Sequence, residues 1–374
     1  MMRIVEIRHI EDLVGQSLRW RSLWQQTPGS TFFQSLDWLQ LYWRYFGEGQ
    51  QLRVLVVESL GEVQGILPLA VRREATRAGS IRVLTYPLHD WGSFYGPIGT
   101  NQAATLASGL RHIRDSRRDW DLLDLRWVNL QEVDRGRTAS AFTIAGLNCR
   151  ERIWRVNACV DFGGSWDDYL GQRSSKFRNN LRRAEAAARR AGNLTFERYR
   201  PAAATCSSDD VRWELFDECR ELAARTWQAA ASDGTTLSDA AVGPFFRDLF
   251  GLAAHHGALD MNLLRQDGRL IAFSFNLIHQ GRLSGLRIGF DNQAAELSPG
   301  RLLLARSFED SCRRGDTCID LGSESMHFKQ PWLTRTIPAM RYTHYPLFSV
   351  RTQLLRAKHW LFPSSVQSTT SSSC

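Results

Sequence analysis

The sequence contains the same order of secondary-structure elements twice: three strands, a helix and a further strand. This repeat constrains the fold more than any other feature. In the first half, three segments have the composition of β-strands, and the first two are joined by a glycine-containing turn; they read LRVLVVE, VQGILPLAVRR and IRVLTY. Apolar residues at helical spacing predict a helix over 101–116. The apolar strand DLLDLRWV follows this helix.

The second half shows the same order. Its three strand segments are separated by DG and QG turns of the hairpin-forming type; they read MNLLRQ, RLIAFSFNLIH and RLSGLRIGFD. The next helix is predicted over 299–313, because Pro299 suits its first turn and Gly315 its end, and TCIDLG follows as a strand. The repeat predicts two copies of one mixed α/β unit, each burying its sheet under its own helices. A chance succession of hairpins and helices is the alternative.

Two helical segments are predicted between the copies. The first covers 166–192 and begins with a capping box formed by Ser165 and Asp168. Its arginines, Arg178 among them, lie on several sides, which fits either a solvent-facing helix or an electrostatic guide for a charged acceptor. The second covers 208–231 and has one apolar face, which we expect to pack on the second sheet.

The composition is that of a globular protein with anionic partners. The 374 residues are 43% hydrophobic, enough for one large or two ordinary domains, and their net charge is +8. No stretch has the roughly 18 to 20 apolar residues of a membrane span, and the charged N-terminal segment does not match a signal peptide, so we expect a cytoplasmic protein. Seven cysteines without CxxC pairs predict neither a disulfide framework nor a zinc site.

Five phrases of the sequence occur in a characteristic order: SSKFRNNLRR, ARTWQ, LSGLRIGFD, SPGRLLL and IDLGSESMHFKQPW. Together they resemble the GNAT acyltransferases, in particular the CelD-like family associated with bacterial cellulose biosynthesis. The resemblance covers about residues 32–345 and extends, more distantly, to the Fem-type aminoacyl-tRNA-dependent transferases, which carry two such domains. It implies an α/β fold of tandem GNAT-like domains over 1–155 and 156–350, with mixed sheets flanked by helices, followed by a C-terminal helix and tail over 351–374.

The resemblance implies acetyl-CoA or another acyl-CoA as co-substrate, and no metal. Its pyrophosphate would lie on the helix start in SPGRLLLA, where Gly300 lets the backbone approach closely, first-turn amides point at the phosphates and Arg301 adds charge. The family phrase has a second glycine where this chain has Leu302. A capped core helix with buried leucines would explain the same phrase. The residues implied for the cofactor are Leu286, Ile288, Gly289, Ser298, Gly300 and Arg301.

The phrase IDLGSESMHFKQPW places a dense polar cluster at the end of a buried strand, where α/β units carry their chemistry. Acyl transfer to an amine needs a base and a group that stabilises an oxyanion. Glu324 is the first candidate base and His327 the second, and Asp320 and Lys329 complete the predicted catalytic set. Family members have Tyr where this chain has Phe328, so the role of a phenol as proton donor to the leaving thiolate is absent or filled elsewhere. An ion-paired helix start is the structural alternative.

Four further residues are candidates for the acceptor site: Trp227, Arg178, Asp291 and Trp332. Trp227 would stack on a sugar or on pantetheine and Trp332 would form a pocket wall, whereas core packing is the ordinary role of a tryptophan. Asp291 is either a carboxylate that orients the acceptor amine or a turn residue.

Three functions are compatible with the sequence. The first is direct transfer of an acyl group from acyl-CoA to an amine or hydroxyl of a small or glycan-linked acceptor, in exopolysaccharide, cellulose or cell-envelope biosynthesis. The second is a Fem-like transfer from aminoacyl-tRNA, although the basic helix lacks the interleaved aromatic residues of RNA-stacking surfaces, so no stable nucleic-acid complex is expected. The third is a non-catalytic GNAT-like binding module. The N-terminal copy is expected to be structural, because its loop SFYGPIGTNQ has no nearby arginine.

Overall fold

A computed structural model describes residues 2–76, 79–88, 92–203, 210–226, 236–347 and 353. The described residues form two compact units. Unit 1 contains residues 2–88, 94–156, 338–347 and 353, and unit 2 contains residues 92–93, 157–203, 210–226 and 236–337. Each unit therefore includes a short segment from the other half of the sequence.

The elements of the repeat fold as the sequence predicts. The described strands are β1 (Met2–Ile7), β2 (Gln51–Ser59), β3 (Glu62–Thr76), β4 (Gly79–Thr85), β5 (Ile98–Gly99), β6 (Leu122–Asn129), β7 (Arg150–Asp161), β8 (Leu194–Tyr199), β9 (Leu259–Gln266), β10 (Arg269–His279), β11 (Arg282–Phe290), β12 (Cys318–Asp320) and β13 (Arg335–His344). The described α-helices are α1 (Ser17–Gln26), α2 (Leu36–Phe46), α3 (Gln102–Asp115), α4 (Arg137–Ile144), α5 (Trp166–Gly171), α6 (Ser175–Ala191), α7 (Trp213–Ala223), α8 (Gly243–His255), α9 (Pro299–Arg314) and α10 (Met326–Lys329). The first copy supplies β2, β3, β4, α3 and β6, and the second supplies β9, β10, β11, α9 and β12.

The two units contain sheets of the same topology. The strand order is β1-β2-β3-β4-β6-β13 in unit 1 and β8-β9-β10-β11-β12-β7 in unit 2. The hairpin strands of each sheet are antiparallel, and the crossover through α3 or α9 makes the next pair, β4 with β6 or β11 with β12, parallel. The two orders correspond strand for strand, which confirms the prediction of two copies of one mixed α/β unit.

The last strand of each sheet comes from the other copy's part of the sequence. β7 directly follows the first copy, and its residues 159–161 pair antiparallel with β12 in unit 2. β13 follows the second copy, and its residues 339–344 pair antiparallel with β6 in unit 1. Residues 338–347 therefore belong to unit 1, whereas the sequence-based division places them in the second domain.

The predicted helix over 166–192 is divided into α5 and α6, which corrects the prediction of one continuous helix. The predicted capping box of Ser165 and Asp168 begins α5. Ser174 then starts a new helix, because its hydroxyl accepts the Phe177 amide at 3.2 Å. The Arg178 guanidinium donates to the carbonyls of Leu170, Gly171 and Arg173 at the end of α5. These bonds satisfy the final carbonyls of α5 and separate the two helices.

The core of unit 2 lies between its sheet and α5, α6 and α9. α6 contributes one apolar side chain per turn to this core: Phe177, Leu181, Ala184 and Ala188. Its exposed side is basic and carries Lys176, Arg182, Arg183, Arg189 and Arg190. The apolar face predicted on α7 is buried as well, and the remaining parts of the predicted segment, residues 208–209 and 227–231, lie outside the described residues.

Candidate active site

β11 and β12 pair along only part of their length. The parallel ladder joins Arg282, Leu283 and Ser284 to the three residues of β12, and β12 then ends at Asp320. β11 continues to Phe290, and on this side no described strand pairs with residues 285–290, the open edge of β11. Backbone groups along such an edge are available to an extended ligand. These six residues span about 17 Å in extended conformation.

A β-bulge lies at the start of the open edge. Phe275 is opposite Arg287 and Asn276 is opposite Gly285, so Leu286 is the extra residue on β11. A Cβ at Gly285 would approach the backbone oxygen of Asp320 to 3.2 Å, which shows how near this end of the open edge lies to the end of β12.

The predicted cofactor residues of β11 lie along the open edge, but packing explains part of the pattern. Leu286 is buried and Ile288 is half-buried. A Cβ at Gly289 would lie 2.6 Å from a ring carbon of Phe273, so this glycine is required by the contact with β10. The need for glycine at this position therefore comes from the core and not from a ligand.

α9 starts at the other end of the open edge. Ser298 has left-handed backbone torsions, and its carbonyl accepts the amides of Arg301 at 3.0 Å and Leu302 at 3.2 Å. The Gly300 amide precedes these two and has no carbonyl within the helix to bond. The start of α9 thus has fewer free amides than the sequence predicts for a phosphate site. In that prediction, all amides of the first turn face the phosphates. The leucines of this turn are buried, as the core-helix alternative expects.

Gly300 is surrounded by two aromatic side chains but is not required by packing. A Cβ at this position would lie 3.5 Å from Phe290 and 3.6 Å from Phe328, which are ordinary van der Waals distances. Phe328 is 40% exposed, which is unusual for a large apolar side chain in contact with a helix start. The end of β11, the start of α9 and α10 therefore converge at Gly300.

Asp320 lies at the opposite end of the open edge and is buried. Its Oδ1 accepts the Gly322 amide at 2.8 Å, and its Oδ2 accepts the Asn157 side-chain amide at 2.8 Å. Burial raises the pKa of the Asp320 carboxyl above its usual range, and this effect outweighs the hydrogen bonds and the positive charge of Lys329, which lower it. A carboxylate held in this way is a stronger base than one in water.

Lys329 is the charged partner of Asp320 in this cluster. A Cβ at Gly322 would lie 3.7 Å from its Nζ, so the ammonium is close to the backbone that holds Asp320. Burial lowers the pKa of Lys329 to about 8, against the opposing effects of Asp320 and Glu324. The side chain therefore changes charge close to neutral pH.

The other predicted members of the catalytic cluster are at the surface. Glu324 and His327 are exposed, although they lie in the same turn and helix as Lys329. Ser325 between them has left-handed torsions, which allows the chain to turn sharply into α10. The structure thus brings Asp320 and Lys329 together and leaves the two favoured candidate bases in solvent.

The candidates for the acceptor site take structural positions. Asp291 is buried and pairs with Arg269 at 2.5 Å. Its side chain accepts the Gln293 amide as an N-cap, which is the turn role that the sequence analysis gave as one of two alternatives. Arg178 binds the carbonyls at the end of α5. Trp227 lies outside the described residues.

Trp332 belongs to the core and does not form the wall of an open pocket. It is 2% exposed, and its ring packs edge-on against Phe177 at 4.8 Å and Phe308 at 5.3 Å between centroids. Its carbonyl accepts the Tyr169 hydroxyl. The core alternative of the sequence analysis therefore describes this residue.

Sequence reasoning missed two residues of the cluster, Asn157 and Ser93. Asn157 lies on β7, where it is fully buried among the apolar residues of RVNACVDF. A lone amide in an apolar strand was a usable signal, because buried polar groups need a partner. Ser93 lies in the short segment that joins unit 2, and no pattern in the sequence indicates this.

Part of the chain matches a known family. Residues 175–330 match the family model described as Acetyltransferase (GNAT) domain. The matched range includes β11, α9 and the Asp320–Lys329 cluster. A search of curated proteins finds no match.

Solved structures share the fold over nearly the whole chain. The crystal structure of FemX has 12% identity and a TM-score of 0.60, covering 97% of this chain and 100% of FemX. The C-terminal domain of a putative lysylphosphatidylglycerol synthetase from Agrobacterium fabrum has 13% identity and a TM-score of 0.55, covering 92% and 96% of the two chains. L-PGS from Bacillus licheniformis has 13% identity and a TM-score of 0.51, covering 87% and 96%. At these identities the likeness shows the fold alone.

No helix within the described ranges combines the length and the hydrophobicity that crossing a bilayer requires. The same ranges contain no group of three or more His, Cys, Asp or Glu side chains arranged to hold a metal ion.

Proposed function

We propose that this protein transfers an acyl group from acyl-CoA to an amine or hydroxyl of a small or glycan-linked acceptor. The observation that carries the proposal is the open edge of β11, which has the start of α9 at one end and buried Asp320 with half-buried Lys329 at the other. An extended pantetheine arm bridges a comparable separation between its pyrophosphate and its thioester. The edge thus fits a donor with phosphates at Gly300 and the thioester near Asp320.

The chain's own residues supply binding, orientation and proton transfer. The Gly300 amide and the Arg301 guanidinium hold the phosphates, and backbone groups along the open edge hold the arm. Acyl-CoA supplies an activated thioester. Asp320 takes a proton from the acceptor as its nitrogen or oxygen bonds to the thioester carbon and the C–S bond breaks. Lys329 gives a proton to the departing sulfur. Phe328 cannot fill this role, because its ring has no hydroxyl group. Solvent then returns a proton from Asp320 to Lys329.

This assignment differs from the sequence-based preference for Glu324. Asp320 is buried next to the open edge, whereas Glu324 and His327 are exposed. Burial raises the pKa of the Asp320 carboxyl and excludes water from it. We therefore propose Asp320 as the base and Lys329 as the acid.

Calorimetric titration with acetyl-CoA and with free CoA tests the donor. The protein is expected to bind both, and Gly300→Trp to abolish binding, because an indole at this position fills the space beside the start of α9. Gly300→Ala is the matched control, since its Cβ makes ordinary contacts at 3.5 and 3.6 Å. It should fold like the natural protein and keep most of the affinity.

Absence of heat with either ligand, in protein whose circular dichroism shows it folded, contradicts the acyl-CoA donor. Aminoacyl-tRNA is then the second candidate donor, and the exposed basic side of α6 favours it, because phosphate backbones bind such surfaces. Binding that survives Gly300→Trp would instead place the phosphates elsewhere.

The pH dependence of turnover tests Lys329. Its ammonium form is the acid, so turnover should fall as pH rises through the Lys329 pKa of about 8. Lys329→Arg should remove this alkaline limb, because a guanidinium stays charged throughout the range, while turnover drops because arginine gives up no proton. The pH–rate profiles of both proteins provide the measurement. An alkaline limb near pH 8 that persists in Lys329→Arg excludes Lys329 as its source.

A further inference from the structure

Asp320 is held by side chains that lie outside the range matched by the acetyltransferase domain. Asn157 donates its side-chain amide to Oδ2 of Asp320 at 2.8 Å, and both residues are buried. The matched range begins at residue 175. The side-chain hydrogen bond to the proposed base therefore comes from β7, the strand that follows the first copy.

The backbone fixes Asn157 in this position. The flanking Ala158 amide donates to the Gly322 carbonyl at 3.1 Å, and the Leu321 amide donates to the Ala158 carbonyl at 2.8 Å. These bonds join β7 to the segment that directly follows Asp320. The Asn157 side chain must then present its NH2 group to the carboxylate, because its oxygen would repel it. Its own Oδ1 remains buried without a hydrogen-bond partner among the described residues.

An unpartnered buried oxygen is costly, so a buried asparagine of this kind is kept for the hydrogen bond that its NH2 group donates. An aliphatic side chain at 157 would fill the same volume without this cost. The asparagine is therefore explained by what its NH2 group does for Asp320. Ser93 adds to this environment: its hydroxyl is buried, has no hydrogen-bond partner of normal geometry, and lies close enough to Asp320 to lower the pKa of that carboxyl.

We propose that Asn157 is a positioning residue that holds the Asp320 carboxylate toward the acceptor. The proposal rests on the function proposed above. With the Gly322 amide, Asn157 supplies the hydrogen bonds of Asp320, and Lys329 is the charged group that faces it. A carboxylate has about four acceptor positions, so lone pairs remain for the acceptor. Asn157 does not touch the reacting atoms.

The test compares Asn157→Ala with Asn262→Ala. Asn262 is a matched control: it is also fully buried, donates to a buried carboxylate, Asp260, at 3.0 Å, and has an unpartnered Oδ1. The Asp320 carboxyl is followed by NMR in protein labelled with 13C at the aspartate carboxyl carbons, with Asp320→Asn used for the assignment. Turnover with acetyl-CoA and the best of a panel of simple amines and alcohols is measured against pH.

Removal of the Asn157 donor should raise the pKa of Asp320, because this hydrogen bond stabilises the charged form. The acid limb of the pH–rate profile then moves to higher pH, and turnover at pH 7 falls about tenfold or more, as expected for one lost charge-assisted hydrogen bond. Asn157→Asp should move the limb further, because two adjacent carboxyls share one proton. Asn262→Ala should leave both the Asp320 titration and the acid limb in place.

An Asp320 titration that is the same in Asn157→Ala and in the natural protein overturns the proposal, whatever happens to turnover. A shifted titration in a protein that turns over no acceptor supports the contact but contradicts the proposed function, so the two failures are distinguishable. If Asn157→Ala does not fold, Asn157→Leu, which keeps the side-chain volume without the donor, decides the matter: it should shift the titration in the same direction, and no shift overturns the proposal.

Discussion

Asp320→Asn is expected to lower turnover with acetyl-CoA by about 10²- to 10⁴-fold, the usual contribution of a general base. The side chain keeps its size, but an amide cannot take a proton from the acceptor. Binding of acetyl-CoA should be unchanged, because Asp320 lies at the thioester end of the open edge, away from Gly300. Steady-state kinetics and calorimetry on the same preparation measure both quantities.

Asp291→Asn is the control for this substitution. Asp291 is also a buried carboxylate of unit 2 that follows a strand, but it pairs with Arg269 and caps a turn. Its replacement should reduce stability and leave turnover within a small factor. If turnover instead falls with Asp291→Asn and survives Asp320→Asn, the acceptor-orienting role predicted from the sequence belongs to Asp291 and the base proposed here is wrong.

Trp332→Ala should lower the free energy of unfolding by about 3–5 kcal/mol, the range for removing a large buried aromatic side chain. Trp332 is 2% exposed and packs against Phe177 on α6 and Phe308 on α9, so its loss leaves a cavity where these helices meet. Urea denaturation measures the change. In protein that remains folded, affinity for acetyl-CoA should be close to natural, because the indole is buried and offers no surface to a ligand.

Phe328→Ala provides the contrast. This ring is 40% exposed, so its removal should change stability by about 0.5 kcal/mol or less. It lies beside Gly300, so acetyl-CoA affinity is the property that should respond. Trp332→Ala would contradict the core role if it lost little stability and much of its affinity for the acceptor. Trp332 would then form a wall of the acceptor pocket, as the sequence analysis suggested.

The fold could be predicted from the sequence because its signals are local. Hairpin turns such as DG between β9 and β10 and QG between β10 and β11 fix the strand neighbours within a few residues. Pro299 and Gly315 mark the ends of α9 within one residue of its observed bounds. The repeated order follows from such signals without any knowledge of distant contacts.

The candidate site depends on contacts that no local signal encodes. Asn157 and Asp320 are 163 residues apart in the chain, and only the pairing of β7 with β12 brings them together. The sequence showed four candidate catalytic residues in one phrase but not which of them are buried, so it favoured Glu324 over Asp320. The break between α5 and α6 likewise depends on the Arg178 side chain, whose three carbonyl partners are invisible to helix propensity.

The exchanged last strands have a consequence for the history of the chain. A duplicated gene usually leaves two copies that can diverge, be lost or recombine separately. Here removal of either copy would take β7 or β13 away from the sheet that it completes, and β12 or β6 would be left with an unpaired edge that invites aggregation. Each copy is therefore retained by the other copy's need for a strand, and selection acts on both copies as one inherited unit.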